Sequence, residues 1–214
     1  MKLYSYFRSS AAYRVRIALN IKGLSFQQDA IDLLKNGGEQ FGADYASINP
    51  QRLVPALDDA GFLHTQSLAI MEYLDETYPT PPLLPSDARE RSRVRSIAMA
   101  IACDIHPLSN LRTLRYLKRE LGASSEQRDA WHRHWNMLGM TALEARLSHE
   151  VPTGPFCHGD TPTMADCCLV PQIHNARRLD CDLAVFPTLN AIAARCEALP
   201  AFAQAAPEAQ PDAQ

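Results

Sequence analysis

Three features are missing from this sequence, and each absence excludes a class of protein. Lysine and arginine number 21 against 24 aspartate and glutamate, so the basic excess of a nucleic-acid-binding protein is absent. No uninterrupted apolar stretch is long enough to span a bilayer, and no apolar run follows a basic N-terminal start. We therefore expect a cytoplasmic protein whose partners include neither nucleic acid nor membrane.

Cysteine motifs are also missing, although the chain has six cysteines. None lies in a C-x-x-C pair, and no cysteine and histidine have the spacing of zinc ligands. We expect no metal site, and we expect most of these thiols to be small buried apolar groups in a reducing compartment.

The composition is that of a globular protein with a substantial core. Of the 214 residues, 46% are hydrophobic, which is enough for one large domain or two small ones. Within residues 1–80, short apolar runs and helical spacing alternate in the order β-α-β-α-β-β-α. The first three elements read as a βαβ unit, so their strands are expected to be parallel. Pro55 interrupts the third apolar run, which favours an edge strand or backbone without a partner strand.

A proline-rich segment separates this α/β region from a helical region. Tyr78–Pro85 contains four prolines, which is typical of a linker. We place the linker at residues 81–86, between an α/β domain at 1–80 and an all-α domain at 87–214.

The helical region has its own internal signals. Pro107 lies within a long helical pattern and is expected to kink or split it. Thr163 and Asp166 fit a capping box that opens another helix. Residues from Ala203 onward are rich in alanine, proline and glutamine, and we expect a loose tail there.

Two adjacent serines, Ser9 and Ser10, lie where the first strand gives way to the first helix. Their hydroxyls could cap the unpaired N–H groups of the first helical turn. The same position carries the partial positive charge of the helix, where a hydroxyl could help hold a thiolate or a carboxylate. Ser67 is in a similar position before a later helical pattern and is predicted to be its N-cap.

The order of elements, the proline linker and the T-x-x-D helix start resemble the glutathione transferase superfamily over nearly the whole chain. The stretch Ser-Ser-Ala-Ala-Tyr-Arg-Val-Arg-Ile-Ala-Leu from Ser9 to Leu19 is similar to the zeta-class motif S-S-C-x-[WY]-R-V-R-I-A-L. The family cysteine is Ala11 here, which weakens only a claim of thiol chemistry by the protein itself. Other similar segments are Asn36–Gln40, Asn49-Pro50, Val54-Pro55, Gln66-Ser67, and Gly159–Thr161 through Val170–Gln172.

This resemblance implies a thioredoxin-like N-terminal domain, an all-α C-terminal domain and glutathione as cofactor. It implies that Ser10 stabilises the thiolate, with Ser9 as the second choice. The residues it assigns to the cofactor are Ser9, Ser10, Ala11, Gln40, Gln51, Val54, Pro55, Gln66, Ser67 and Ser109. Taken alone, Gln40 and Gln51 favour a solvated polar loop, and Ser67 could be a plain cap, which is compatible with its cofactor role.

Zeta-class enzymes are maleylacetoacetate isomerases, so the resemblance also implies a cis dicarboxylate substrate from tyrosine and phenylalanine catabolism. The thiolate would add to the double bond, the resulting single bond would rotate, and the thiolate would leave. The residues implied to bind this substrate are Arg8, His106, Asn110, Arg112 and Arg178, with Arg178 also catalytic. Each arginine alone could be an ordinary surface residue, and His106 alone could be structural.

Two rival interpretations stay open. The first is a maleylpyruvate isomerase of gentisate catabolism, which uses the same cofactor and chemistry. The second is a non-catalytic binding module with this fold, against which the intact Ser9, Ser10, Val54, Gln66 and Ser67 argue. The resemblance further implies a homodimer and allows side activity on halogenated acids.

Overall fold

The computed structural model describes residues 1–213 and divides the chain into two compact units. The first unit comprises Met1–Leu83 together with the residues from Glu197 onward, and the second comprises Leu84–Cys196. The division after Leu83 falls within the predicted linker at 81–86. The C-terminal segment, however, belongs to the first unit and not to the predicted helical domain.

The elements alternate between strand and helix at first and are helical thereafter. The strands are β1 (Lys2–Ser5), β2 (Gln27–Ala30), β3 (Ala56–Asp59) and β4 (Phe62–Thr65). The helices are α1 (Ser10–Ile21), α2 (Ala43–Ile48), α3 (Ser67–Thr77), α4 (Ala88–Met99), α5 (His106–Ser109), α6 (Leu111–Arg119), α7 (Ser125–His149), α8 (Met164–Arg177), α9 (Pro187–Glu197) and α10 (Pro200–Ala203).

The first unit is built on a four-stranded sheet in the order β2-β1-β3-β4. β1 and β2 are parallel, as the βαβ pattern predicts, whereas β3 is antiparallel to both β1 and β4. The central strands pair Leu3 with Leu57, and both side chains are fully buried. β3 is thus an internal strand, so of the two predicted alternatives the edge position is wrong, and the backbone without a partner strand is that of Val54, just before β3. Pro55 lies just before β3 and withdraws no donor from the ladder.

The C-terminal segment packs against α1, and the predicted loose tail is therefore wrong. Phe202 of α10 is completely buried. The buried Arg16 side chain of α1 donates from Nε to the Ala205 carbonyl at 2.9 Å. The Asp212 carboxylate accepts hydrogen bonds from the Phe7 backbone N–H at 2.9 Å and from the Gln28 side chain at 3.0 Å. One apolar anchor and several hydrogen bonds are enough to order a segment of polar and small residues.

In the second unit, the long helical pattern around Pro107 is divided into several helices. A π-helical turn at Ala100–Ile105 follows α4, and Pro107 lies in the first turn of α5, where its missing N–H removes no helical bond. The chain becomes extended only at Asn110, which has φ −78° and ψ 157°. The break predicted at Pro107 therefore consists of two features. A π-helical turn precedes the proline, and the extended residue Asn110 after it separates α5 from α6.

The predicted capping box at the start of α8 is confirmed. The Thr163 hydroxyl accepts from the Ala165 N–H at 3.3 Å, and the Asp166 carboxylate accepts from the Thr163 N–H at 2.8 Å. The buried Asp166 also accepts from the Cys157 N–H at 2.8 Å, which ties the preceding loop to α8. Across residues 1–213, we find no helix with the length and apolar content to cross a membrane.

Candidate functional site

The first turn of α1 gives the two serines different environments. Ser9 precedes the helix, and its Oγ accepts a hydrogen bond from the Ala12 N–H at 3.2 Å. Ser10 and Ala11 are half-buried. Within residues 1–213, the Ser10 hydroxyl makes no hydrogen bond. Arg8 is exposed immediately before the pair. Ser9 is therefore the cap, and the Ser10 hydroxyl is available at the positive end of the helix.

The backbone before β3 is held in place but not paired. The Val54–Pro55 peptide bond is cis, and both residues are buried. The Leu53 carbonyl oxygen accepts from the Tyr45 hydroxyl at 2.6 Å and from Asn49 Nδ2 at 2.8 Å. In the described part of the chain, the N–H and C=O of Val54 have no hydrogen-bond partner. This backbone can therefore pair with an extended peptide as one strand pairs with another.

Gln66 occupies the N-cap position of α3 without a side-chain capping hydrogen bond, so the predicted Ser67 cap is wrong. Gln66 has φ 67°, a left-handed conformation that is uncommon outside glycine, and its Nε2 donates to Gln51 Oε1 at 2.9 Å. The buried Ser67 hydroxyl instead accepts from Arg14 NH1 at 3.3 Å. A buried guanidinium, a hydroxyl and a helix N-terminus at one place suit a carboxylate.

Gln40 is buried, so its alternative as a solvated loop residue is wrong; Gln51 is exposed. The Gln40 side chain lies against Gly38, where a Cβ would be only 2.5 Å from Oε1. That Oε1 atom has no hydrogen-bond partner within residues 1–213. A buried acceptor without a donor is costly, so a ligand N–H at this position would be stabilising.

These unpaired groups test whether glutathione fits the first unit. Glutathione brings a peptide backbone, a thiol and carboxylates. The Val54 backbone and Gln40 Oε1 lack peptide-like partners, the Ser10 hydroxyl lacks an acceptor, and the Ser67 end of α3 suits an anion. The residues present fit the cofactor.

In the second unit, two of the predicted site residues around α5, Ser109 and Asn110, already make hydrogen bonds within the protein. The buried Ser109 hydroxyl donates to the Ile105 carbonyl at 3.1 Å, so its proton is used within its own helix. Asn110 Oδ1 accepts from the Arg112 N–H at 2.7 Å and caps α6. The Arg112 residue is exposed and His106 is half-buried. Ser109 can therefore offer a ligand only its lone pairs.

Arg178 follows the last residue of α8, and it is exposed. Its NH2 donates to Asn175 Oδ1 at 3.1 Å. Asn175 Nδ2 lies 3.2 Å from Nε2 of His132 on α7. Burial, with a smaller contribution from the nearby Arg178 charge, lowers the pKa of His132 from 6.5 to about 4. The imidazole is therefore neutral at physiological pH.

Sequence reasoning missed Asn175 and His132. Both are buried, and they lie 43 residues apart on different helices. The only available signal is that a polar side chain on the buried side of each helix needs a partner there. Helical spacing does not reveal which helix supplies that partner.

The comparisons with known proteins agree with this geometry. Residues 1–76 match the glutathione S-transferase N-terminal domain, and residues 122–209 match the glutathione S-transferase C-terminal domain. A probable maleylacetoacetate isomerase of Vibrio cholerae is 53% identical over 99% of this chain and 97% of that protein. A maleylpyruvate isomerase of Ralstonia sp. is 47% identical over 99% of both chains.

Solved structures give the same picture. The holo structure of a maleylpyruvate isomerase, described as a bacterial zeta-class glutathione S-transferase, is 47% identical, with a TM-score of 0.97 and full coverage of both chains. A maleylacetoacetate isomerase of Methylobacterium extorquens with bound malonate and glutathione is 42% identical, with a TM-score of 0.96 and full coverage of both chains. The chain therefore belongs to the glutathione S-transferase family, in its zeta class.

Proposed function

We propose that the protein is a glutathione-dependent maleylacetoacetate isomerase of tyrosine and phenylalanine catabolism. The observation that carries the proposal is the set of unpaired groups on the first unit, namely the Ser10 hydroxyl, the Val54 backbone and Gln40 Oε1. This set suits glutathione and occurs in a chain 53% identical to a probable maleylacetoacetate isomerase.

When bound, glutathione supplies a thiol that can add reversibly to the substrate double bond. A free thiol of this kind has a pKa of about 8.5, so little thiolate exists at neutral pH. The Ser10 hydroxyl would donate to the sulfur, and the dipole of α1 would add to this effect, so both favour the anion. The Val54 backbone would hold the peptide, and Gln66 and Ser67 would receive a carboxylate.

The chain's cations would recognise the dicarboxylate substrate. Arg178 has an exposed guanidinium whose planar donors suit a carboxylate, and it would also stabilise negative charge that develops on the substrate oxygen. Arg8 and Arg112 are exposed and would supply further positive charge. His106 and Asn110 would contribute hydrogen bonds.

A maleylpyruvate isomerase is the second candidate, favoured by the relative and the solved structure of that name at 47% identity. The deciding experiment offers both keto acids to the purified protein with and without glutathione. We expect glutathione-dependent isomerisation, faster for maleylacetoacetate. Faster turnover of maleylpyruvate would reverse the assignment. Retention on immobilised glutathione without isomerisation of either acid would indicate a binding module.

We also infer a homodimer, which the family resemblance supports. Phe62 is 68% exposed and packs against His64, which stacks on Tyr73 with ring centroids 3.8 Å apart. A second copy of the chain would cover this exposed aromatic surface. Light scattering coupled to gel filtration should give twice the 23.8 kDa chain mass, and a monomer mass would contradict the inference.

A cytoplasmic location completes the proposal. All six cysteines are free thiols, and several are buried in the second unit. Such thiol usage is typical of a reducing compartment.

A further inference from the structure

Four polar residues of α7 and α8 are buried, namely His132, Asn136, Gln172 and Asn175. The pair His132 and Asn175 leads to Arg178. Gln172 donates to Asn136 Oδ1, and Asn136 Nδ2 donates to the His132 carbonyl at 2.8 Å. Asn175 contacts the His132 ring at 3.2 Å and accepts from Arg178 at 3.1 Å. Arg178 itself is charged and exposed.

The hydrogen-bond chemistry orients the pair His132 and Asn175 in one direction. A guanidinium has donors only, so the Asn175 side chain must turn its oxygen toward Arg178. Its amide nitrogen then faces His132 Nε2, which must accept, and the ring proton must therefore be on Nδ1. The burial that lowers the pKa of His132 to about 4 keeps this tautomer neutral, since the imidazolium has no acceptor to offer. Reversing the Asn175 amide would break both contacts at once.

The arrangement has a consequence for the exposed arginine. An arginine side chain in solvent samples many rotamers, and a substrate carboxylate must then select one of them. The contact with Asn175 removes part of that freedom, because Asn175 is itself buried and held by His132. A guanidinium carries five N–H donors, and the contact with Asn175 uses one of them.

We propose that Asn175 and His132 are positioning residues that hold the Arg178 guanidinium ready for a carboxylate of the substrate. This inference rests on the proposed function, in which Arg178 binds the dicarboxylate. The two residues act through Arg178 and touch neither substrate nor cofactor.

The first test is the Asn175→Ala variant, compared with Arg178→Ala and with the double variant. We expect Asn175→Ala to raise KM for the dicarboxylate roughly tenfold, with a smaller change in kcat and unchanged glutathione affinity. In the Arg178→Ala background, the same substitution should change KM no further, because the residue it positions is gone. General loosening of the fold would add its effect in both backgrounds, and that result would overturn the proposal.

A second pair of variants keeps the test decisive if Asn175→Ala folds poorly. His132→Gln retains an acceptor for Asn175 and should keep KM within about threefold of the wild type, whereas His132→Leu removes the acceptor and should raise it roughly tenfold. Equal KM values for the two variants would contradict the proposal. As a matched control, Gln172→Met removes a buried amide whose hydrogen bond goes to Asn136 on α7, and it should lower Tm without raising KM.

Activity measurements on the wild-type protein distinguish failure of this inference from failure of the proposed function. Absence of glutathione-dependent isomerisation in the wild type would reject the function itself. Normal wild-type activity, with a raised KM in Arg178→Ala but not in Asn175→Ala, would reject only the positioning role.

Discussion

At the first turn of α1, two neighbouring hydroxyls differ in what they already bind. Ser9 Oγ accepts a hydrogen bond from the Ala12 N–H, whereas the Ser10 hydroxyl makes no hydrogen bond within residues 1–213. A cap stabilises the helix, and a free hydroxyl stabilises nothing until a ligand arrives. The two serines can therefore be separated by substitution, although they are adjacent in sequence.

We predict opposite profiles for Ser9→Ala and Ser10→Ala. Loss of the cap in Ser9→Ala should lower the free energy of unfolding by ~1 kcal/mol. Ser10→Ala should leave unfolding nearly unchanged but lower kcat roughly 10- to 100-fold, the scale of a hydrogen bond to a charged group. Urea unfolding and the isomerisation assay measure the two effects. Unchanged kinetics in Ser10→Ala would refute its role at the thiolate.

Functional residues can be predicted from the sequence when they lie in a local motif. The serine pair and the Gln66–Ser67 pair lie at helix starts, where the need for partners is read directly from the chain. Which member of each pair is the cap depends on φ and ψ, so Ser67 was predicted for a position that Gln66 occupies. Asn175 and His132 depend on the packing of α7 on α8, which no local pattern encodes.

At the scale of elements, buried polar side chains of α7 and α8 contact one another. His132 is 3% exposed, so the uncharged imidazole is the form that the folded protein accepts. In the unfolded chain, His132 has the ordinary pKa of 6.5. Because the pKa of His132 differs between the folded and unfolded states, the stability of the protein depends on pH.

We predict a loss of stability in mild acid that depends on His132. Between pH 6.5 and about pH 4 the unfolded chain binds a proton at His132 that the folded chain does not. The free energy of unfolding must therefore fall as pH is lowered through this window. His132→Gln should show a smaller slope of unfolding free energy against pH, measured by urea titration at several pH values. A slope equal to that of the wild type would contradict the prediction.

For the whole molecule, the main departure from the sequence prediction is the destination of the C-terminal segment. Its composition is that of a tail, and composition cannot show that Phe202 and Ala205 meet α1. The fold class and the division near residue 83 were predictable because the change from alternating to helical spacing is local. The return of the last residues to the first unit is a long-range contact.

We predict that this segment contributes strongly to stability. Phe202→Ala empties a fully buried site and should lower the free energy of unfolding by about 3–5 kcal/mol. Phe41→Ala, at a phenylalanine that is 49% exposed in the same unit, should cost about 0.5 kcal/mol or less. Chemical denaturation of both variants provides the comparison, and similar losses would mean that α10 is only loosely attached.

The Ala205 carbonyl that receives the Arg16 side chain leaves the ribosome only after residues 1–204 have been synthesised. Synthesis runs from the N-terminus, so the strands of the sheet emerge long before the segment that covers α1. Residues 84–196 are synthesised before the C-terminal segment. The helical unit can therefore fold before the C-terminal segment of the α/β unit has been synthesised. During translation, the residues of the helical unit are therefore complete before those of the α/β unit, although the α/β unit begins first.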